Sequence, residues 1–351
     1  MTPVNFLLVG TGGIAQSYAS AFEKHPEATL AAVADIRPDA AHALAERFGC
    51  PAFTGIADAL DHGPPVDGVV ICTPPSTHED LTFAALRRGK HVLCEKPFTL
   101  TTDSARRMAA EAERDGLLLT MASKFRYVAD IVKAKSLIAS GVIGEVILFE
   151  NAFTGRVDMA HRWNSNPHVS GGGVLIDNGT HSVDIMRYFL GPLSEVHAVE
   201  GKRIQGLVVE DTARLFVRSA AGVMGSVDLS WSLNKELDWY VNVYGSAGTV
   251  QVGWKQSRYK QQGRDWVVFG TGYDKVQAFR DQVTNFARAI RRTEPLRITA
   301  EDAVASVDVI EAAYRSMREA PWTGVLTPAN PLSHTPLPFP ATSARREVSF
   351  G

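Results

Sequence analysis

The 351-residue sequence has few of the features that mark several broad classes of protein. It contains only three cysteines, Cys50, Cys72 and Cys94, whose spacing matches no metal-binding motif, so we expect reduced thiols rather than disulfides. No apolar run reaches membrane-spanning length, and no basic leader precedes the first strand pattern. The formal net charge of −2 argues against nucleic-acid or membrane-surface binding. We therefore expect a cytoplasmic protein with neither kind of partner.

The chain does have enough apolar residues for two hydrophobic cores. At 351 residues and 45% hydrophobic content it exceeds one typical domain. Strand and helix patterns alternate as far as about residue 121, which predicts an α/β fold with a doubly wound parallel sheet. Longer strands rich in β-branched residues follow, which predicts a second α/β domain with a large, mainly antiparallel sheet. We place the boundaries at residues 1–122 and 123–330, with a proline-rich tail at 331–351.

The first residues have the pattern of a buried strand, a glycine turn and a helix. Val4 to Val9 form a nearly continuous apolar run, followed by Gly10, Gly12 and Gly13, and Ile14 lies in the helical pattern. Gly10 permits a tight turn, and Gly12 lets the backbone approach a pyrophosphate because it has no Cβ. Unpaired N–H groups at the helix N-terminus attract anions. Such turns also occur without a ligand, but here the segment predicts a dinucleotide site.

Asp35 ends the second apolar run, near the spacing at which an acid accepts hydrogen bonds from an adenosine ribose. An acid there favours NAD, because it repels the 2′-phosphate of NADP. Arg37, two residues later, could offset that repulsion, so NADP stays possible. The alternative is that Asp35 is only a turn residue before Pro38.

The tripeptide Glu95-Lys96-Pro97 follows the fourth strand pattern, His91 to Cys94. Ligands bind at the carboxyl edge of a doubly wound sheet, so the Lys96 amine would lie close to a cofactor's reactive ring. There it could hydrogen-bond a substrate oxygen and stabilise negative charge. The alternative is a surface lysine in a loop.

Three glycines at residues 171–173 precede a helix that we expect to begin near Asp177. Asp177 and His181 are four residues apart and share one helix face. A neutral imidazole can take a hydroxyl proton while a carboxylate orients it or binds a neighbouring hydroxyl. The alternative is an N-cap aspartate followed by a core histidine. Because the glycines have no Cβ, this backbone can lie close to a neighbouring group.

These patterns together resemble those of the Gfo/Idh/MocA oxidoreductase family, which includes inositol, glucose-fructose and nucleotide-sugar dehydrogenases. The resemblance spans nearly the whole chain and rests on the glycine turn at 10–13, Cys72-Thr73-Pro74-Pro75 with His78, Glu95-Lys96-Pro97, and the glycine run leading to Asp177 and His181. It implies a Rossmann domain followed by an α/β domain whose open sheet often mediates dimers or tetramers, so we expect a homodimer or homotetramer.

The resemblance also implies roles for individual residues. Lys96, Asp177 and His181 match the family's catalytic lysine, aspartate and histidine, and Lys96-Pro97 becomes a candidate cis peptide bond. The residues implied to lie along the nicotinamide half of the cofactor are Thr73, Pro74, His78, Glu95 and Lys96. For Thr73 and Pro74 the alternative is a simple strand-ending turn, and for His78 an exposed residue in the first turn of a helix.

Three further residues are candidate substrate contacts. Arg126 lies where family members often have an arginine near the site, and it could equally form an ion pair. Trp163 offers an apolar face to a sugar ring, and Asn164 offers a donor and an acceptor. A tryptophan is more often part of a core or an interface.

The predicted function is oxidation of a secondary alcohol of a sugar, cyclitol or nucleotide sugar, with NAD or possibly NADP as the hydride acceptor. Lys96 would steady the oxygen, His181 would take its proton, and Asp177 would orient His181 or anchor a neighbouring hydroxyl. An alternative is an NAD-dependent glycoside hydrolase that oxidises its sugar transiently. A dinucleotide-responsive binding protein is a non-enzymatic alternative. We expect no metal, because a zinc site from His161, His168, Asp177 and His181 would lack compact ligand spacing.

Overall fold

Two β-sheets organise the computed structural model, which describes residues 2–319. One sheet has six strands and the other eight. The predicted tail at 331–351 lies outside the described residues. No helix between residues 2 and 319 is both long enough and apolar enough to cross a membrane.

The first sheet is parallel throughout, with strand order β3-β2-β1-β4-β5-β6. Its strands are β1 (Val4–Val9), β2 (Ala28–Ala34), β3 (Ala52–Phe53), β4 (Gly68–Ile71), β5 (His91–Glu95) and β6 (Leu119–Ala122). The strands β4, β5 and β6 are almost wholly buried, as expected of strands covered on both faces. The order reverses at β1, so the carboxyl ends of β1 and β4 form the crevice where such sheets bind ligands. The prediction of a doubly wound parallel sheet is confirmed.

Five helices connect these strands: α1 (Gly13–Phe22), α2 (Pro38–Phe48), α3 (Ile56–His62), α4 (His78–Leu86) and α5 (Thr102–Arg114). Local sequence explains where several of them begin and end. Pro38 occupies the first turn of α2, and Gly49 ends that helix in a left-handed conformation. The Thr101 hydroxyl accepts a hydrogen bond from the Ser104 N–H and caps α5.

The second sheet has the strand order β14-β13-β12-β11-β7-β10-β9-β8. Its strands are β7 (Val146–Thr154), β8 (Leu193–Glu200), β9 (Thr212–Ser219), β10 (Met224–Ser230), β11 (Trp239–Gly245), β12 (Gly248–Gly253), β13 (Ser257–Gln261) and β14 (Val267–Gly270). Only β7 and β10 pair in parallel, and the other neighbours are antiparallel. The prediction of a large, mainly antiparallel sheet is confirmed. Buried and exposed residues alternate along β9, which indicates one covered and one open face.

The remaining helices are α6 (Ala129–Ala139), α7 (Pro167–Ser170), α8 (Val174–Leu190), α9 (Lys275–Ile290) and α10 (Ala300–Glu319). Of these, α8 packs against β7, β9 and β10 and forms the main layer beneath the second sheet. It carries the predicted Asp177 and His181.

The last two helices return to the first sheet. Phe279 of α9 packs its ring edge-on against Tyr18 of α1 at 4.8 Å, and Phe286 lies 5.7 Å from Phe6. Val307 of α10 is part of the core on the other side of that sheet. The predicted division into residues 1–122 and 123–330 stays a prediction, because α9 and α10 share their cores with both sheets.

Candidate active site

The glycine turn after β1 forms a cradle at the crevice. Gly10 has a φ of +89°, and a Cβ there would lie 2.9 Å from the backbone carbonyl of Cys72, so only glycine fits. A Cβ on Gly12 or Gly13 would meet nothing within 4 Å. The helix α1 begins at Gly13 without a side-chain cap, and Ile14 follows in its first turn. Its N–H groups therefore border open space, which fits a pyrophosphate.

Asp35 lies at the carboxyl end of β2, beside this cradle. Its carboxylate accepts hydrogen bonds from the Thr11 N–H at 2.8 Å and hydroxyl at 2.7 Å, and from the Arg37 N–H at 2.9 Å. The exposed Arg37 guanidinium also bonds to it, at 3.2 Å. Burial alone would raise the pKa of Asp35, but the hydrogen bonds from Arg37 and Thr11 hold it well below its usual range. A ribose would have to share this carboxylate with Arg37.

His78 connects two loops instead of facing the crevice. Its ring is fully buried, with Nε2 2.8 Å from the carbonyl oxygen of Thr73 and Nδ1 2.9 Å from that of Pro97. Burial lowers the pKa of His78, so the ring is neutral and donates from one nitrogen. The prediction that His78 contacts the cofactor is corrected, because protein atoms cover the whole ring. His78 holds Thr73 and Pro74 in register with the loop after β5.

Glu95 and Lys96 end β5 at the carboxyl edge of the sheet. The Glu95 carboxylate is buried and accepts hydrogen bonds from the Tyr18 hydroxyl at 2.9 Å and the Lys96 N–H at 3.1 Å. Gln282 of α9 in turn donates to the Tyr18 oxygen at 2.8 Å. Burial raises the pKa of Glu95, although the nearby Lys124 and Lys96 charges oppose the increase. The Lys96-Pro97 bond is cis, as predicted.

The Lys96 side chain reaches from the first sheet to helix α8. Its Nζ lies 2.6 Å from Oδ1 of Asp177 and 3.2 Å from the Asp177 carbonyl oxygen. The two side chains are only 15% and 19% exposed, so the ion pair is largely shielded from water. Two of the three predicted catalytic residues thus contact each other, and this contact joins the carboxyl edge of the first sheet to helix α8.

The glycine run at 171–173 brings α8 close to other parts of the same chain. A Cβ on Gly173 would lie 2.0 Å from the Glu210 carbonyl oxygen, and one on Gly172 would lie 2.0 Å from the Tyr314 hydroxyl. These glycines are thus required for internal packing. The helix begins at Val174, three residues earlier than the predicted start near Asp177.

Glu210 caps the N-terminus of α8 and was not identified from the sequence. Its Oε1 accepts hydrogen bonds from the N–H groups of Gly173 and Leu175, each at 3.0 Å, and from the Tyr314 hydroxyl at 2.7 Å. Burial raises the pKa of Glu210. The residue comes from the segment before β9, and no local motif marked it as the cap of a helix 37 residues away.

His181 lies one turn beyond Asp177, and only 6% of it is exposed. Its Nε2 is 3.1 Å from Nζ of Lys124, and its Nδ1 is buried with no hydrogen-bond partner among residues 2–319. Burial, together with the charges of Lys124 and Lys96, holds the pKa of His181 well below its ordinary value. The Phe125 ring packs edge-on against the imidazole at 5.1 Å.

Lys124 is the second residue of this site that the sequence analysis missed. It begins the short turn Lys124–Tyr127, two residues after β6 ends. Burial, followed by the charge of Lys96, lowers the pKa of Lys124 to about 7. Its position just beyond a strand's carboxyl end, as for Lys96, was the available signal.

The structure does not bring Arg126 to the cleft. Arg126 is 6% exposed and forms ion pairs with Asp184 of α8 at 2.7 Å and Asp302 of α10 at 3.3 Å. Its predicted substrate contact is therefore corrected, because the guanidinium is buried and its N–H groups are paired with these two carboxylates.

Trp163 and Asn164 lie in the short turn Trp163–Ser165, which leads into α7. Trp163 is 44% exposed, and α7 contacts the turn Pro75–Thr77 after β4. The loop thus passes the edge of the cleft, and a substrate contact by these residues stays a prediction. Within the described part of the chain, no group of three or more His, Cys, Asp or Glu side chains is arranged to hold a metal ion.

Comparison with known proteins agrees with this architecture. Residues 4–123 match the model described as an oxidoreductase family with an NAD-binding Rossmann fold, and residues 131–251 match the GFO/IDH/MocA C-terminal domain. An inositol 2-dehydrogenase of Rubrobacter xylanophilus is 31% identical over 254 residues, covering 70% of each chain. The chain belongs to the Gfo/Idh/MocA family. Its fold and its predicted NAD-binding oxidoreductase class are confirmed.

Other relatives of this Gfo/Idh/MocA protein match over almost its whole described length. An inositol 2-dehydrogenase of Rhizobium meliloti (strain 1021) is 28% identical over 337 residues, covering 90% of this chain and 97% of the relative. The crystal structure of GenD2, from gentamicin A biosynthesis, in complex with NAD superimposes with a TM-score of 0.80 at 29% identity, covering 91% and 95% of the two chains. Both alignments therefore span the two domains of this protein and nearly the whole of each relative.

Proposed function

We propose that the protein is an NAD-dependent dehydrogenase that oxidises a secondary alcohol of a sugar or cyclitol, or reduces the matching ketone. The observation that supports the proposal is the ion pair of Lys96 with Asp177, which joins the carboxyl end of β5 to helix α8, with His181 one turn further along that helix. The names of the inositol dehydrogenase relatives support the substrate class. They do not favour the glycoside hydrolase alternative.

The cofactor would be held by groups of the first domain. The N–H groups of α1 would bind the pyrophosphate, and Asp35 would accept hydrogen bonds from the adenosine ribose. When bound, NAD supplies the hydride acceptor. Thr73, Pro74 and Glu95 lie at the same sheet edge as the cradle and would line the nicotinamide half.

The chain's own residues would control the substrate oxygen. Lys96 would donate a hydrogen bond to it and stabilise its negative charge as the O–H proton leaves. Asp177 would hold the Lys96 amine in position through the 2.6 Å ion pair. The proton of the substrate hydroxyl would be taken up on the side of the site where His181 lies. Trp163 and Asn164 would contact the sugar ring of the substrate from the loop before α7.

The direct test is an activity screen of the purified protein. We expect reduced nicotinamide to accumulate with at least one member of a panel of inositols, aldoses and glycosides, and faster with NAD than with NADP. A panel that gives no reduced cofactor in either direction would contradict the proposal. Release of a chromogenic aglycone without net NADH would identify the hydrolase alternative instead.

We further propose that two copies associate through the open face of the second sheet and that the protein resides in the cytoplasm. On that face β9 and β10 expose Phe216 and Met224, which are 44% and 56% exposed, beside polar residues. The free, buried Cys72 and Cys94 suit a reducing compartment. Sedimentation of the wild type and of Phe216→Glu tests the assembly: the variant should shift toward the monomer, and a monomeric wild type would exclude it.

A further inference from the structure

We propose that Lys124 is the base that takes the proton from the substrate hydroxyl, and that His181 orients its amine. The inference rests on the proposed dehydrogenase function and assigns the proton to a specific atom, Nζ of Lys124. It follows from the contacts around the His181 ring.

The imidazole has only one nitrogen available for proton exchange. Nδ1 is covered by protein and has no hydrogen-bond partner among the described residues, while Nε2 lies 3.1 Å from Nζ of Lys124. A substrate oxygen that approached Nε2 would have to displace that amine. Lys124 as a whole residue keeps some exposure to solvent, whereas His181 is only 6% exposed.

Both groups cannot be charged at this separation. Two like charges 3.1 Å apart in a shielded site repel strongly, so the pair holds at most one positive charge. His181 is the weaker base of the two, because burial and the charges of Lys124 and Lys96 lower its pKa far below the ordinary value. The charge therefore resides on Lys124 when the pair is protonated.

The surroundings of Lys124 keep its amine neutral in a large fraction of molecules near pH 7. Burial and the charge of Lys96 lower its pKa to about 7, which is close to the optimum for a general base at that pH. The Phe125 ring, 4.9 Å from Nζ, is one wall of this site. The charged or titratable groups near the amine come from the end of β5 and the residue after it, from α8 and from the start of α9, and they are Glu95, Lys96, Asp177, His181 and Lys275.

The neutral amine has two N–H bonds and one lone pair. One N–H can donate to Nε2 of His181, which leaves the lone pair to accept the substrate proton. In the oxidation direction the substrate O–H bond breaks and an N–H bond forms on Lys124, whose amine becomes an ammonium. The C–H bond breaks with its electron pair, which leaves as hydride to NAD, and a carbonyl remains.

Three variants separate proton acceptance from charge. Lys124→Met removes the amine, Lys124→Arg keeps the positive charge but cannot release a proton, and Lys133→Met removes an exposed charge on α6 as a control. We expect kcat to fall about 100-fold or more in both Lys124 variants and to change less than about twofold in Lys133→Met. The dissociation constant of NAD, measured by calorimetry, should stay within about threefold in all three. Near wild-type kcat in Lys124→Arg would overturn the proposal.

The pH profile gives a readout that loss of packing would not reproduce. Wild-type kcat for oxidation should rise with pH through about 7, where Lys124 loses its proton, and this limb should be missing from the residual activity of Lys124→Met. If His181 is the base instead, Lys124→Met keeps the limb and His181→Asn loses it, and the proposal fails.

A third measurement does not depend on turnover. In protein labelled with ¹³C at the lysine ε-carbon and free of cofactor, the signal missing from the Lys124→Met spectrum should titrate near 7 instead of the ordinary 10.5. A midpoint near 10.5 would overturn the inference. If the wild type turns over and Lys124→Arg is also active, the role of Lys124 is refuted while the dehydrogenase function stands. If the wild type is inactive on the whole panel, the dehydrogenase function itself is refuted.

Discussion

The nucleotide end and the reacting end of the cleft are built in different ways. The nucleotide end uses neighbours in sequence and in one sheet, as Asp35 does with Thr11 and Arg37, and it leaves open space above Gly12. At the reacting end, Lys96 pairs with Asp177, 81 residues away, and the charged groups are largely buried. One end is therefore a local motif, and the other exists only after two parts of the chain have packed together.

The sharpest test of this contrast is Lys96→Met at the reacting end. We expect kcat to fall on the order of 1,000-fold, because the substrate oxygen loses its donor, while NAD affinity is nearly unchanged. Lys90→Met, at the other end of β5, is the matched control and should leave kcat within about twofold. Steady-state kinetics with calorimetric NAD binding checks both, and a Lys96→Met enzyme with more than about a tenth of wild-type kcat would contradict the contrast.

A second test removes the support of the reacting end without touching its charges. Glu210→Ala leaves two N–H groups at the start of α8 and the Tyr314 hydroxyl without their acceptor. We expect the free energy of unfolding to fall by about 2–4 kcal/mol, measured by urea denaturation. Glu210→Gln keeps an acceptor oxygen and should recover part of the loss. Equal stability of Glu210→Ala and wild type would show that the cap is dispensable.

At the nucleotide end the corresponding change is Asp35→Ser. It removes the carboxylate that repels a 2′-phosphate and releases Arg37 to bind one. The ratio of kcat/KM for NAD to that for NADP should fall by about tenfold or more, with little change in kcat for NAD. Asp39→Ser, on the exposed first turn of α2, is the control. An unchanged ratio would mean that Asp35 does not select the cofactor.

The smallest effect concerns stability against pH. The pKa of Lys124 is lowered in the folded protein, to about 7 from 10.5, so the unfolded chain binds the proton more tightly between these values. Wild-type stability should therefore rise with pH across that window, by about 1 kcal/mol or more. Lys124→Met lacks this rise, so its stability relative to wild type should be highest below about pH 7 and fall toward pH 10.5. Parallel curves would contradict the assignment of the pKa.

The sequence was sufficient for the first sheet, because apolar runs and the glycine turn are local signals. It also singled out Lys96, Asp177 and His181 from strand-end position, helical spacing and a family resemblance, and the structure brings Lys96 and Asp177 into contact. It was insufficient for Arg126, whose partners Asp184 and Asp302 are 58 and 176 residues away. Strand β13 has no apolar alternation, because it contains Arg258, Lys260 and Gln261, so periodicity alone does not predict it. Lys124 was missed because a single lysine has no motif.

The return of α9 and α10 to the first sheet has a consequence for synthesis on the ribosome. When β6 has emerged, the nascent chain still lacks the phenylalanines that complete the core around Phe6 and Tyr18. Gln282, the donor to Tyr18, arrives equally late. The nucleotide-binding half is thus translated first, but its core is completed only when the final helices have been made. Until then part of its apolar surface stays exposed, which is the kind of surface that chaperones bind.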